Sequence, residues 1–195
     1  MYVLVILSFL ALGIIIGKYR QILSIVSLHK KLAKEISDAG SLDGIRAIIN
    51  NHGDDCPLSI SIGKALSLLS EDYMMTKDSI EATANIAIHH MESGLGWLST
   101  IAAVAPLVGF LGTVTGMVKV FINIAAYSQN GIDISKLATG IWEALLTTVG
   151  GLIVGILAII FYNDLVSHTE NAATFLQEQL DDFLVKYKHS HKTDK

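Results

Sequence analysis

The chain has 195 residues, of which 51% are hydrophobic and 16% are charged, and its formal net charge is -4. Only 14 residues are lysine or arginine, so the chain lacks the basic surface that nucleic-acid binding requires. The charged fraction is lower than the roughly 25% of an ordinary soluble domain. The missing charge is confined to three blocks, residues 1–17, 93–118 and 137–163, which together contain a single charged side chain, Glu143. The remaining residues have ordinary soluble composition. A single water-soluble globule is therefore excluded, and so is a disordered chain.

The first apolar block, residues 1–17, is at the short limit of a membrane-spanning helix. No basic residue precedes this block, and Lys18 and Arg20 follow it directly, which is the reverse of a secretory signal peptide. Positive charge marks the cytoplasmic side of a span. We therefore expect an uncleaved helix whose N-terminus lies outside.

The next segment, residues 18–96, is predicted to be a cytoplasmic helical region. Its first part is divided into short helices by Gly40, Gly44, Gly53 and the stretch Asp54-Asp55-Cys56-Pro57. After Lys64, side chains suited to one buried helix face recur at alternating spacings of three and four. These are Leu69, Tyr73, Thr76, Ile80, Ala84, Ala87 and Met91. Because no proline follows until Pro106, we predict one long helix from Lys64 through the second span.

The second and third spans are predicted over residues 97–121 and 137–162, joined by a short outer loop over residues 122–136 with a turn at residues 128–131. Each span carries small residues at three-to-four spacing, which lets helix backbones approach closely. In span two these are Ala102, Ala105, Gly109, Gly112, Thr113 and Gly116, and in span three Gly140, Ala144, Thr147, Thr148, Gly151 and Gly155. Simple packing within one subunit is an alternative use of these faces. Pro106 cannot donate a backbone hydrogen bond and is expected to bend span two.

Glu143 is the one charged residue within the apolar blocks 1–17, 93–118 and 137–163, and an ionisable group within a span usually faces a pore or a partner. A position in the first helical turn, where the carboxylate stays solvated near the outer surface, is equally compatible with the sequence. Thr147 and Thr148 follow on roughly the same face. With Thr113 on the neighbouring helix, they could form a polar strip for water and a proton or sodium ion. Their hydroxyls could equally bond back to carbonyls of their own helices.

The last segment, residues 163–195, is predicted to be a cytoplasmic C-terminal helix and tail. Its apolar stripe consists of Leu176, Leu180, Phe183, Leu184 and Tyr187. The fold class is thus an all-α membrane protein with three transmembrane helices, two of which extend far into the cytoplasm.

The sequence lacks the residue sets that disulfide frameworks, metal sites and enzyme active sites require. The single cysteine, Cys56, excludes an internal disulfide framework and a zinc site with several thiolates, and a buried inert thiol is its simplest interpretation. The adjacent His89 and His90, and His189 and His191 in the polar tail, do not have ligand spacing. We predict no metal site, no cofactor and no enzyme, since no set of nucleophile, base and orienting group is present.

Two segments together resemble a known family. GWLSTIAAVAPLVGFLGTVTGM (residues 96–117) and ATGIWEALLTTVGGLIVGILAIIFYN (residues 138–163) are similar to the signature helices of the ExbB/TolQ/MotA proton-channel family. The three-span layout is closer to the ExbB and TolQ branch than to the flagellar stator branch, which carries an additional span.

This resemblance implies a homo-pentamer around the membrane helices of two copies of an ExbD- or TolR-like partner, whose helix carries a proton-binding aspartate. It implies a bacterial inner-membrane location with the N-terminus in the periplasm and the C-terminus in the cytoplasm, and a TonB- or TolA-like transducer as a further partner. Glu143, Thr148 and Thr113 match the family's ion-path positions. Thr147 adds a hydroxyl, and Trp142 is bulkier than the small residue of the family pattern. The implied function is an ion-conducting motor subunit, and a non-conducting membrane scaffold is the alternative of another class.

Overall fold

The structure, a computed structural model, describes residues 2–39, 41–53, 56–68, 73–127 and 134–193. These residues form six helices and their connections: α1 (Tyr2–Asp38), α2 (Leu42–His52), α3 (Pro57–Ser67), α4 (Tyr73–Glu92), α5 (Leu95–Tyr127) and α6 (Ile134–Thr193). Three stretches are long and apolar enough to cross a membrane: Tyr2–Asp38 in α1, Met74–Ala125, which covers α4 and α5 with the turn between them, and Ile134–Lys186 in α6. The expectation of an all-α protein with three long apolar helices is confirmed.

The prediction of one helix from Lys64 through the second span is wrong. Lys64 belongs to α3, which ends at Ser67, and α4 and α5 are separated by Ser93 and Gly94. Gly94 has a φ of 86°, in the left-handed region that glycine adopts without steric penalty and that commonly ends a helix. The Lys18 ammonium donates to the Met91 carbonyl at 3.2 Å, which satisfies one acceptor in the last turn of α4. The absence of proline was therefore not sufficient evidence for a continuous helix.

Two smaller boundaries also differ from expectation. Helix α5 continues through residues 122–127 and α6 begins at Ile134, so helix covers part of the segment 122–136 predicted as loop. Residues 122–127 contain no glycine or proline that would end a helix. Gly44 lies within α2, whose N-cap Ser41 accepts a hydrogen bond from the Gly44 amide at 3.2 Å. The predicted turn at residues 128–131 and the positions Met1, Gly40, Asp54, Asp55 and Leu69 lie outside the described residues.

The first of two compact units, here called the membrane unit, consists of Met1–Gly17 and Gly94–Leu165. Its buried side chains include five alanines, Ala11, Ala102, Ala105, Ala144 and Ala158, together with larger ones such as Leu4, Leu98 and Leu165. Large side chains such as Leu107, Phe110 and Ile153 are exposed. The unit therefore exposes many large apolar side chains, as a protein in lipid does.

The second unit, here called the helical unit, consists of Lys18–Ser93 and Val166–Lys195. Its core is built from large aliphatic side chains, including Leu32, Leu58, Ile62, Ile80 and Leu176. The predicted stripe on α4 is buried at Thr76, Ile80, Ala84 and Met91, and the predicted stripe on α6 is buried at Leu176, Leu180, Phe183 and Leu184. These parts of the two stripes are confirmed, whereas the side chains of Tyr73 and Tyr187 are outside the described set. Cys56 is buried as well.

Candidate ion path between α5 and α6

The residues singled out in the two spans meet where α5 and α6 approach each other within the membrane unit. The closest approach is between Gly109 and Gly151: a Cβ placed on Gly151 would lie 2.8 Å from the Gly109 Cα and 2.6 Å from the Ala105 carbonyl oxygen. A Cβ on Gly109 would lie 2.8 Å from the Thr147 carbonyl oxygen. The obstacles are backbone atoms, which cannot rotate away. Only glycine leaves enough room for the two backbones to pack at this distance.

The other singled-out glycines also lie at close contacts, but against side chains. A Cβ on Gly116 would lie 2.7 Å from the Ala144 Cβ, and a Cβ on Gly140 would lie 2.5 Å from the Val120 Cγ2. A Cβ on Gly112 would overlap the Thr147 hydroxyl.

Pro106 lies inside α5 and forms part of the same contact. A Cβ on Gly155 would lie 2.6 Å from the Pro106 Cγ and 3.0 Å from the Ala102 carbonyl oxygen. Because proline has no N–H, it cannot donate the helical hydrogen bond to the carbonyl four residues earlier, which is that of Ala102. Because Gly155 has no side chain, α6 can approach the Ala102 carbonyl, which lacks the backbone N–H donor that a residue other than proline at position 106 would supply.

Three threonine hydroxyls, those of Thr113, Thr147 and Thr148, lie close together in this region. We use the name threonine node for these hydroxyls and the two carbonyl groups that they contact, those of Gly109 and Ala144. The Thr147 and Thr148 hydroxyls donate to the Gly109 carbonyl across the helix pair at 3.2 and 3.1 Å. The Thr113 hydroxyl lies 3.2 Å from the Ala144 carbonyl of α6 and is hydrogen-bonded to the Thr148 hydroxyl. The node thus links α5 and α6 in both directions.

The same hydroxyls also contact carbonyls of their own helices. Thr113 Oγ1 lies 3.4 Å from the Gly109 oxygen, and Thr147 Oγ1 lies 2.7 Å from the Ala144 oxygen. The hydroxyls therefore contact carbonyls of their own helices, which was one of the two uses left open by the sequence, and they link the two helices as well. The acceptors Gly109 and Ala144 were not recognised as such from the sequence. Their positions three or four residues before a threonine were the available signal, because a helical hydroxyl reaches that carbonyl.

Glu143 does not join the threonine node. Its side chain is exposed, and it has no hydrogen-bond or ion-pair partner within the described part of the chain. At about 100° per residue, Thr147 is about 40° around the helix from Glu143, whereas Thr148 is about 140° away. The buried Ala144 lies between those directions. Glu143 and the neighbouring exposed Trp142 therefore lie beside the face that contacts α5, and the polar strip expected from the sequence is divided.

Metal ligation has no support in the residues that the structure describes, since no three of their histidine, cysteine, aspartate or glutamate side chains form a group suited to an ion. The polar chemistry of the α5–α6 contact is that of hydroxyls and backbone carbonyls. Such groups can hydrogen-bond water, a carboxyl group or each other.

These features define a helical, multi-pass membrane protein with a polar node between two of its three apolar helices. The profile of the MotA/TolQ/ExbB proton channel family matches residues 61–178, which include both helices of the node. The chain belongs to this family.

Curated relatives agree with this assignment. A putative biopolymer transport protein ExbB-like 1 of Synechocystis sp. is 41% identical over 90 residues, which are 46% of this chain and 35% of that protein. The biopolymer transport protein ExbB of Salmonella typhimurium is 43% identical over 74 residues, 38% of this chain and 30% of that protein. The chain thus spans about a third of the length of each of these two relatives. A putative ExbB-like 1 protein of Helicobacter pylori is 26% identical over 156 residues, 80% of each chain.

Proposed function

We propose that this chain is the ion-conducting subunit of an inner-membrane motor, with the proton as the ion. The motor would convert the proton motive force into mechanical work on a periplasmic or outer-membrane process such as TonB-dependent uptake. The observation that carries the proposal is the threonine node, because it concentrates hydroxyls and carbonyls between two otherwise apolar helices that match a proton-channel family. A TolQ-like motor for envelope integrity and division is the nearest alternative.

The assembly in this proposal is a homo-pentamer around two copies of an ExbD- or TolR-like protein with an intramembrane aspartate. A TonB- or TolA-like transducer would receive the work. Residues 1–17, 97–121 and 137–162 would span the membrane, with residues 122–136 in the periplasm and residues 18–96 and 163–195 in the cytoplasm. The apolar side chains exposed on the membrane unit support this arrangement, since they require lipid or other membrane helices around them.

The chemistry rests on the donor and acceptor inventory of the node. Each hydroxyl has one hydrogen and two lone pairs. Thr113 Oγ1 lies near two carbonyl oxygens and one hydroxyl oxygen, so its single hydrogen can serve only one of them well. A hydroxyl in this position can accept from a protonated carboxyl group of the partner. It can also turn its hydrogen toward the ionised carboxylate and leave its carbonyl acceptor to another threonine.

Energy considerations require repeated steps. One elementary charge that crosses the membrane releases about 2.3 kcal/mol per 100 mV. A single proton therefore supplies only a modest displacement, and work on another protein requires many protons in sequence. We assign to Glu143 the role of contacting or tuning the path near its outer end, because it is exposed and lies to one side of the node.

The test is proton flux into liposomes that contain the complex of this chain with its ExbD- or TolR-like partner. Thr148→Val and Thr113→Val remove a node hydroxyl at nearly constant volume, and each is expected to lower flux by at least tenfold while the complex still assembles. Thr115→Val is the matched control, since the Thr115 hydroxyl is exposed and, among the described residues, bonds only to carbonyls of its own helix, at 2.9 Å from Leu111 and 3.1 Å from Gly112. Glu143→Gln is expected to change the dependence of flux on outer pH.

Three results would contradict parts of this proposal. Full flux in both node variants would remove the threonines from the path. An assembled wild-type complex without flux would favour the scaffold interpretation. A complex with normal flux that, in cells, maintains envelope integrity but does not support TonB-dependent uptake would assign the motor to the TolQ-like role.

A further inference from the structure

His29 is a buried residue of α1 that the proposed ion path does not use. Its side chain is 1% exposed, and neither ring nitrogen has a hydrogen-bond partner among the described residues. Phe175 of α6 stacks on the ring, with centroids 6.3 Å apart and an angle of 20° between the planes. Since a buried polar group without a partner is destabilising, such groups in native proteins generally have a ligand, a water or an ion to bond. Both nitrogens are closed to solvent in the structure, so a group that bonds to either one must enter beside the ring.

A cavity of about 210 Å³ lies beside this histidine in the helical unit. Helix α1 lines it with Val26, His29 and Lys30, and α6 lines it with His168, Asn171 and Phe175. The polar side of the cavity offers the Lys30 ammonium and the Asn171 amide as well as the two imidazoles. The apolar side consists of the valine and the phenylalanine. A ligand that suits both sides has a polar head and a short apolar body.

The charge around the cavity favours an anionic head. Lys30, Lys31 and Lys34 follow one another along α1. Glu35 is the nearest acid on this helix, and it contacts His52 at 2.9 Å and Lys31 at 4.0 Å instead of the cavity. On α6, Glu170 is exposed and does not line the cavity. Burial lowers the pKa of His29 to about 4, so at neutral pH its ring is an uncharged donor and acceptor and repels no anion.

We propose that this cavity binds a small monocarboxylate with a short aliphatic body. The His29 ring turns its N–H toward the cavity and donates to one carboxylate oxygen, the Lys30 ammonium and the Asn171 amide complete the anion site, and the aliphatic body lies against Val26 and Phe175. The second nitrogen of His29 accepts a hydrogen bond from a hydroxyl group or water at the same site.

The experiment is a titration of the full-length protein in detergent micelles or nanodiscs with propionate, followed by the histidine ring resonances of isotope-labelled protein. His29→Gln assigns the His29 signals, and His89, whose side chain is 88% exposed, is the internal reference. We expect a saturable shift of the His29 signals in the millimolar range. Propionamide, which has nearly the same shape without the charge, and sodium chloride at equal ionic strength are expected to give none.

Variants test the anion site itself. Lys30→Gln removes a charge-assisted hydrogen bond and is expected to weaken propionate binding on the order of fivefold or more. Lys34→Gln, one turn further along α1 and not in the cavity lining, is the matched control. The proposal is overturned if propionate leaves His29 unchanged, if propionamide or chloride acts equally, or if the two variants behave alike. It is overturned as well if the His29 signals respond to protein concentration but not to propionate, because a carboxylate of a second copy then occupies the cavity.

Discussion

The membrane unit and the helical unit differ in how their helices make contact, although the same chain forms both. In the membrane unit the backbone contacts between α5 and α6 lie at glycine, alanine and threonine, and many large side chains such as Leu107 and Phe110 are exposed. In the helical unit leucine and isoleucine fill the core. The reason is the solvent, because water drives large apolar groups inward whereas lipid does not. Close backbone packing and part-buried hydroxyl bonds therefore take the place of large apolar side chains at the α5–α6 contact.

The largest expected effect of a side-chain truncation is in the helical unit. Leu32→Ala removes a fully buried side chain from the core and is expected to destabilise that unit by about 2–5 kcal/mol. Leu23→Ala on the same helix is the matched control, since Leu23 is 55% exposed. Hydrogen exchange of the α3 and α4 amides measures the effect and is expected to accelerate by more than tenfold only in Leu32→Ala. Equal exchange in the two variants would contradict an aliphatic core in this unit.

Adding one methyl group is expected to damage the membrane unit. Gly151→Ala places a Cβ against the Ala105 carbonyl oxygen and the Gly109 backbone, and overpacking of this kind costs about 1–3 kcal/mol. Gly13→Ala is the control, because a Cβ there meets nothing within 4 Å. Thermal unfolding in detergent, followed by circular dichroism, is expected to show a lower midpoint for Gly151→Ala alone. A stabilised Gly151→Ala protein would show that the helices are not in backbone contact.

The effect that is smallest at neutral pH, and that grows on acidification, concerns the stability of the helical unit. The pKa of His29 is lowered to about 4 in the folded chain, below its ordinary value of 6.5, so the unfolded chain binds more protons between these values. Stability is therefore expected to fall as pH decreases from 6.5 toward 4, by roughly 1.4 kcal/mol per pH unit at most. Chemical denaturation at several pH values measures this loss.

His29→Gln removes that contribution, so the difference in unfolding free energy between wild type and variant is expected to narrow or reverse on acidification. His89→Gln replaces an exposed ring and controls for the loss of a histidine as such. A difference that stays constant with pH would mean that solvent reaches the His29 ring.

The sequence predicted the features that depend on composition and helical periodicity. The apolar helices follow from the charge-free blocks, and the buried stripes on α4 and α6 follow from three-to-four spacing. The glycines that meet between α5 and α6 were recognisable because small residues recur on one face of each helix. The resemblance pointed to Thr113 and Thr148, which lie together in the node, while their role in ion passage stays a proposal.

Other features depend on facts that periodicity does not contain. The break between α4 and α5 depends on the backbone conformation of Gly94, and a single glycine in a helical pattern does not reveal its φ. The separation of Glu143 from the node depends on which side of α6 faces α5. Neighbouring residues on a helix differ by about 100° in direction, so Glu143 is exposed although the next residue, Ala144, is buried. The His29 cavity depends on the pairing of α1 with α6, which are far apart in the chain.

The hydrogen bonding of the Gly109 carbonyl is expected to be visible in its infrared stretching frequency. Three threonine hydroxyls lie within 3.1–3.4 Å of this one oxygen. The stretching frequency of a carbonyl falls as it accepts more hydrogen bonds, so an isotope label at this peptide group would give an infrared band displaced from those of ordinary helical carbonyls. The frequency of that band would change whenever a threonine turns its hydrogen to water or to a carboxylate. Gly109, which has no side chain, would thereby report the proton state of its neighbours.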